Sequence, residues 1–175
     1  MAARSRTVSL ADASVGSIMT RQVKIVSTTK PLLESIRMMK ESNIGSVVVV
    51  EDGRPVGIFT ERDLVKRMAE RPESLGLSMA QVMSKPLISV PPTATVWDAL
   101  TLMGKHNIRR LPVMEGKKLM GIVTERDVFR LILTQQSLLL ESVSESIPAS
   151  SRERLKGIVG ALGIEKPPSR MENNQ

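Results

Sequence analysis

The apolar and polar positions of this chain alternate between a strand period and a helix period. Lys24-Ile25-Val26 reads as a short strand, and Val47 to Val50 is a continuous β-branched run of the kind buried on both faces of a sheet. Between them Leu32, Leu33, Ile36, Met38 and Met39 recur at helical spacing. That helix has Pro31 in its first turn, Thr28 or Thr29 as a candidate cap and an end near Asn43. Asp52-Gly53 signals a hairpin, Val56 to Phe59 the return strand, and Leu64, Val65 and Met68 the apolar side of a second helix. Val15-Gly16-Ser17-Ile18-Met19 is a short apolar lead-in to the whole series.

The series then occurs again. Leu87 to Val90 reads as a strand, and Thr93 or Thr95 opens a helix with Val96, Trp97, Leu100 and Met103 facing in. Leu111 to Met114 and Leu119 to Val123 form a hairpin around Gly116-Lys117, and a helix starts at Glu125. Shifting the chain by 64 residues superposes the two series without a gap, with 14 identities over the 45 positions 19–63. Average composition supplies about three. The chain therefore holds a tandem duplication of a β-α-β-β-α unit, an α+β fold with α/β sandwich-like packing. One unit is too small to cover its own sheet, so the two are expected to pack as a pseudo-twofold pair. The boundaries read 14–72 and 78–135, with Arg71 to Ser74 as linker and 136–175 as a helical extension. In that extension Leu155, Ile158, Val159 and Leu162 form a stripe in a helix over 151–162. The end from Lys166 on, and the arm 1–13, read as disordered or loose.

Composition narrows the chemistry. Cysteine is absent, which excludes disulfides and thiolate metal sites, and His106 is the one histidine. With no nucleophile–base pair and no carboxylate cluster, neither an enzyme nor a metal site is expected. Arg4 and Arg6 are not followed by an apolar segment, and no apolar run approaches membrane-spanning length. A cytoplasmic protein with no membrane association is the simplest expectation. The net charge of +7 invites phosphorylated ligands or nucleic acid, although a solvated basic surface explains it as well. Nucleic-acid binding is the alternative function. Two Phe, one Trp and no Tyr leave little to stack bases on.

The most constant block is Gly57-Ile58-Phe59-Thr60-Glu61-Arg62-Asp63, which returns as Gly121-Ile122-Val123-Thr124-Glu125-Arg126-Asp127. In each, a strand runs into a helix, and Thr with Asp three residues on can form a capping box. A capping box alone would account for either instance. The pair of them, kept whole where neighbouring positions differ, also fits a ligand with vicinal hydroxyls and an anion. A carboxylate can accept from both ribose hydroxyls, and a Thr hydroxyl can hold an oxygen beside the helix N-terminus. Lys24, Arg62, Arg109, Arg110 and Arg126 could neutralise phosphates.

Together with Val15 to Thr20, Asn43 to Val50 and Asn107 to Val113, this arrangement resembles a tandem pair of CBS (cystathionine β-synthase) domains, a Bateman module, over roughly residues 14–135. The resemblance implies a stand-alone regulatory module, non-catalytic, with AMP, ADP, ATP or S-adenosylmethionine in two clefts. It implies signalling of metabolite status to a partner protein and assembly as a homodimer. It groups Thr60, Arg62 and Asp63 with Ile88, Ile108, Arg109 and Arg110 in one cleft. In the other it groups Thr124, Arg126 and Asp127 with Lys24, Ile44, Gly45 and Ser46. Arg109-Arg110 is similar to a phosphate-binding basic pair of the family, and Gly45-Ser46 departs from it, so the clefts should be unequal.

Overall fold

The computed structural model describes residues 13–134. The first repeat runs α1 (Val15–Ile18), β1 (Ile25–Ser27), α2 (Leu32–Glu41), β2 (Ser46–Glu51), β3 (Arg54–Thr60) and α3 (Glu61–Glu70). The second runs α4 (Met79–Val82), α5 (Val96–His106), β4 (Arg110–Glu115) and β5 (Lys118–Thr124), and residues 125–134 form α6. The arm before residue 13, and the extension and helix placed beyond 134, lie outside the described residues.

In the first sheet β2 is central, parallel to β1 and antiparallel to β3. Val47, Val48 and Val49 are each wholly buried, as a strand covered on both faces must be. The turn to β3 places Asp52 and Gly53 at φ 47° and 75°, the pair of positive values a type I′ hairpin requires. The second sheet keeps the β4–β5 hairpin, but Leu87 to Val90 is not a strand. Only Val90 bridges to Val113. Prolines explain the difference. In the first repeat the Val48 amide donates to Lys24 and the Thr28 amide to Val50. The equivalent positions are Pro112 and Pro92, which have no N–H to give. Two bonds survive, Val90 N–H to Pro112 and Met114 N–H to Val90.

The repeats are joined by an exchange. The lead-in of each packs on the other: Thr20 pairs with Ile122 of β5, and Ser84 pairs with Ile58 of β3. The core around Val113 and Val123 therefore contains Val15 and Met19, and the core around Val49 and Phe59 contains Met79 and Val82. Each such side chain contributes about 2 kcal/mol by leaving water. The exchange depends on two glycines. A Cβ on Gly57 would stand 2.5 Å from the Met83 sulfur, and one on Gly121 would stand 2.8 Å from the Thr20 carbonyl oxygen.

Other local expectations change. α2 begins at Leu32, so Pro31 holds the N-cap position without a side-chain bond, and Thr28 and Thr29 lie too far back to cap it. Thr95 caps α5. The expected linker is a 3-10 turn, Pro72–Gly76, tucked against α2 and α3 with Ser74 buried. Leu33, Val65 and Trp97, expected to face the core, point outward instead. His106 is exposed in the last turn of α5.

Ser35 is wholly buried in α2 and its hydroxyl has no partner, whereas Ala99 fills the equivalent site of α5. Ser35→Ala removes an unpaired polar group without a cavity. It should stabilise the protein by about 1 kcal/mol, read as a higher urea midpoint with an unchanged slope.

Candidate functional site

Thr60 ends β3 in extended geometry, so its side chain turns back over the first turn of α3. Asp63 Oδ2 accepts from the Thr60 amide at 2.9 Å and from the Thr60 hydroxyl at 2.7 Å, while the Asp63 amide donates to that hydroxyl at 3.3 Å. Thr124 and Asp127 form the same box at 2.9, 2.7 and 3.3 Å. A third box, Thr95–Asp98, opens α5 on the exposed surface. The bonds from the Thr95 hydroxyl and amide lower the Asp98 pKa. Box geometry is therefore not what distinguishes the first two. Their surroundings do: both are partly buried where the repeats meet.

The second oxygen of each carboxylate separates the two junctions. Asp63 Oδ1 accepts from the Ser84 hydroxyl at 3.1 Å, a residue brought over by the exchanged lead-in. Asp127 Oδ1 lies 3.6 Å from Arg130 one turn along its own helix. A carboxylate offers about four acceptor positions, so Asp63, with three bonds in place, has about one more to give.

Around Asp63 the repeats interlock. Arg62 Nη1 donates to the Asn107 carbonyl at 2.9 Å, at the left-handed residue that ends α5. Arg110 reaches from the start of β4 to Gly45, where a Cβ would lie 2.8 Å from its Nη1 and 2.6 Å from Glu61 Oε2. Burial lowers the Arg110 pKa, opposed by the carboxylates of Glu61 and Asp63 and reinforced by Arg109. Gly45 is thus the notch that admits an arginine fork from the other repeat.

Set against the groupings expected from sequence, the structure brings Thr60, Arg62, Asp63 and Arg110 together. Gly45 stands with them, and Ser46 lies opposite Thr60 in the sheet. Arg109 instead sits 3.9 Å from Glu125, at the Thr124 junction, where the Glu125 amide donates to its carbonyl. Ile88 and Ile108 pack on the second core and Ile44 on the first, all partly buried. Lys24 and Arg126 are exposed. Sequence reasoning misses Ser84, Glu61 and Arg130. A signal for Ser84 exists, since its counterpart Thr20 is also a hydroxyl. A cavity of about 230 Å³ lies elsewhere, at the far end of β3, lined by Arg21, Val23, Ile25, Val50, Gly53, Pro55 and Leu119. Among the described residues no cluster of metal-ligating side chains occurs, and no helix is long and apolar enough to cross a membrane.

Gly45→Ala should cost about 1 kcal/mol or less, because the Glu61 carboxylate and the Arg110 fork it meets are ends of flexible side chains that can shift. In a Glu61→Ala/Arg110→Ser background, which removes both contacts, that cost should vanish, as read by a mutant cycle of urea midpoints.

With this geometry established, known proteins can be compared. The CBS domain family model matches residues 15–70 and 79–134, more than half of the chain. The CBS domain-containing protein YhcV of Bacillus subtilis (strain 168) is 37% identical over 115 residues, 66% of this chain and 82% of that protein. The crystal structure of the CBS-domain containing protein ATU1752 from Agrobacterium tumefaciens matches with a TM-score of 0.65 at 31% identity, covering 69% of this chain and 94% of that one. The CBS domain pair of protein MJ0100, solved in complex with 5′-methylthioadenosine and S-adenosyl-L-methionine, matches in fold with a TM-score of 0.63 at 24% identity over 69% of this chain and 95% of that one. Across the first relatives this chain spans between 35% and 82% of the relative's own length.

Proposed function

The chain belongs to the CBS-domain family, as a tandem pair, and from that premise we propose that it is a regulatory module taking an adenosyl ligand at the junctions of its two repeats. The observation that carries this reading is the Asp63 junction. A carboxylate with an acceptor position to spare lies beside an arginine held between desolvation and two carboxylates, at the N-terminus of α3. A ribose diol can donate to the carboxylate, and a phosphate or other anion can be met by Arg110 and the helix N-terminus. AMP, ADP and ATP suit that pairing. S-adenosylmethionine is the other candidate, in keeping with the adenosyl ligands in complex with the MJ0100 domain pair.

The two junctions are unequal in this reading. The Asp63 side holds the inter-repeat arginine, and ligand-binding roles fall to Thr60, Arg62, Asp63, Ile88, Ile108 and Arg110. At the Asp127 side Arg109 is engaged with Glu125, and the roles fall to Thr124, Arg126, Asp127, Lys24 and Ile44, whereas Gly45 and Ser46, expected there from sequence, stand at the Asp63 side. Function follows from linkage: a ligand that bridges the repeats favours one packing of them over others, and a partner protein that recognises that packing reads the ligand.

The test is thermal unfolding against AMP, ADP, ATP and S-adenosylmethionine. Ligand at a hundred times its Kd should stabilise the folded state by about 2.7 kcal/mol, a shift of several degrees in Tm. Asp63→Ala with Asp127→Ala should abolish the shift. Asp98→Ala, which removes only a surface cap, should retain it. No shift with any of the four at millimolar concentration would sink the proposal.

A further inference from the structure

The cavity at the β2–β3 hairpin belongs to neither junction. It opens beside Pro55, whereas Thr60 ends the same strand roughly 17 Å away, five residues at strand rise. Its volume is about 230 Å³, room for roughly eight water molecules at their share of liquid volume. The β-bulge after Val49 sets Val50 opposite Pro55, and both side chains line the space. Ile25 of β1 extends this aliphatic wall and is left 50% exposed. Leu119 of β5 closes it from the second repeat.

Arg21 is the one charged residue in the lining. The Val23 amide donates to the Arg21 carbonyl at 3.1 Å, a tight turn that brings both residues to the opening. Among the described residues the Arg21 side chain has no ion-pair or hydrogen-bond partner. The hairpin's own Glu51 stands opposite Arg54. The second repeat does not reproduce the arrangement. At the 64-residue offset Ser89 replaces Ile25 and Lys117 replaces Gly53, so a hydroxyl interrupts the wall and a side chain fills the notch.

We propose that this cavity is a second ligand site, for a short aliphatic carboxylate. The hydrocarbon end lies among Val23, Ile25, Val50 and Pro55, and the carboxylate meets the Arg21 guanidinium. One cation matches one negative charge. A purely apolar guest would leave Arg21 unpaired, and an adenosyl ligand is too large for the volume. Arg21 directly follows Thr20, whose backbone bonds to Ile122 join the repeats. A bound carboxylate therefore adds a tie between the lead-in, the first hairpin and the second repeat. Nothing in this depends on what the junctions bind.

The probe is 4-methylpentanoate, of about the bulk of eight waters, with its neutral isostere 4-methylpentanamide as control. Each is titrated by NMR into the full-length protein labelled at its Ile, Leu and Val methyl groups. The carboxylate should give saturable shifts at Val23, Ile25, Val50 and Leu119, with a Kd on the order of 1 mM. The amide should bind about fivefold more weakly or worse. Arg21→Gln should weaken the carboxylate by the same factor and leave the amide unchanged, a difference that a folding defect does not produce. Asp63→Ala with Asp127→Ala should leave carboxylate binding intact, so this site and the nucleotide reading fail separately. Equal binding of amide and carboxylate overturns the proposal. So do shifts that are absent, unsaturable or confined to the junctions, and NOE contacts showing the cavity filled by the chain's own residues 1–12 or 135–175.

Discussion

Two short antiparallel contacts, Thr20 with Ile122 and Ser84 with Ile58, hold the rest of this structure in place. Each is a reciprocal pair of backbone hydrogen bonds, 2.9 and 2.9 Å in one and 3.1 and 2.8 Å in the other. Each brings a methionine thioether onto a glycine that has no room for a side chain. Because the lead-ins are traded, neither repeat owns a complete core, and each is missing two fully or nearly buried side chains without its neighbour. The same contact that completes the first core carries Ser84 to Asp63. Core packing and site assembly are therefore one constraint, and a change that loosens the exchange reaches the carboxylate without touching it.

Within this symmetric frame the repeats have diverged where the sheet meets the opposite junction. Pro92 and Pro112 remove two ladder donors that Thr28 and Val48 supply in the first repeat, and the strand preceding α5 dissolves to a single bridge. The basic residues Arg109 and Arg110 stand where Gly45 and Ser46 stand in the first repeat. The consequence is directional. Arg110 crosses to Gly45, but Ser46 is too short to return the contact, so the Asp63 junction gains a cation from its neighbour and the Asp127 junction does not.

Much of this is legible in the sequence, and the reasons for the rest are physical. Periodicity reports which face of an element is buried, so the hairpins, the Val47–Val49 strand and the two strand-to-helix junctions read correctly. Periodicity does not report against what a face is buried. Val15 and Met19 are visibly apolar, yet nothing local says that they enter the other repeat's core. The one available sign is indirect: Met19 and Met83 are identical at the offset, as are Gly57 and Gly121, and in the fold they are each other's partners. Periodicity misplaces Trp97 because an apolar residue on a helix is assigned to the nearest core by default, and here the exposed face lies beside it on the wheel. Leu87 to Val90 reads as a strand from its own residues, whereas the strand is lost through donors absent at Pro112 and Pro92.

The three Thr–Asp boxes show how little a motif determines by itself. At Thr95–Asp98 the carboxylate meets only its own helix start, and the box is structural and nothing more. At Asp63 and Asp127 the same bonds engage one oxygen and leave the other to be defined by whatever stands opposite. A neutral hydroxyl stands opposite Asp63 and an arginine exposed to solvent opposite Asp127. Displacing the Ser84 hydroxyl forfeits a hydrogen bond to a charged carboxylate, about 1.5–3 kcal/mol, whereas displacing the exposed Arg130 costs about 1 kcal/mol or less. A diol donor therefore meets less resistance at Asp127, and at Asp63 it replaces one charge-assisted bond with another or takes the remaining acceptor position. What sets the two junctions apart is the desolvated guanidinium at only one of them, and under the proposed function selectivity between ligands of different charge would arise there.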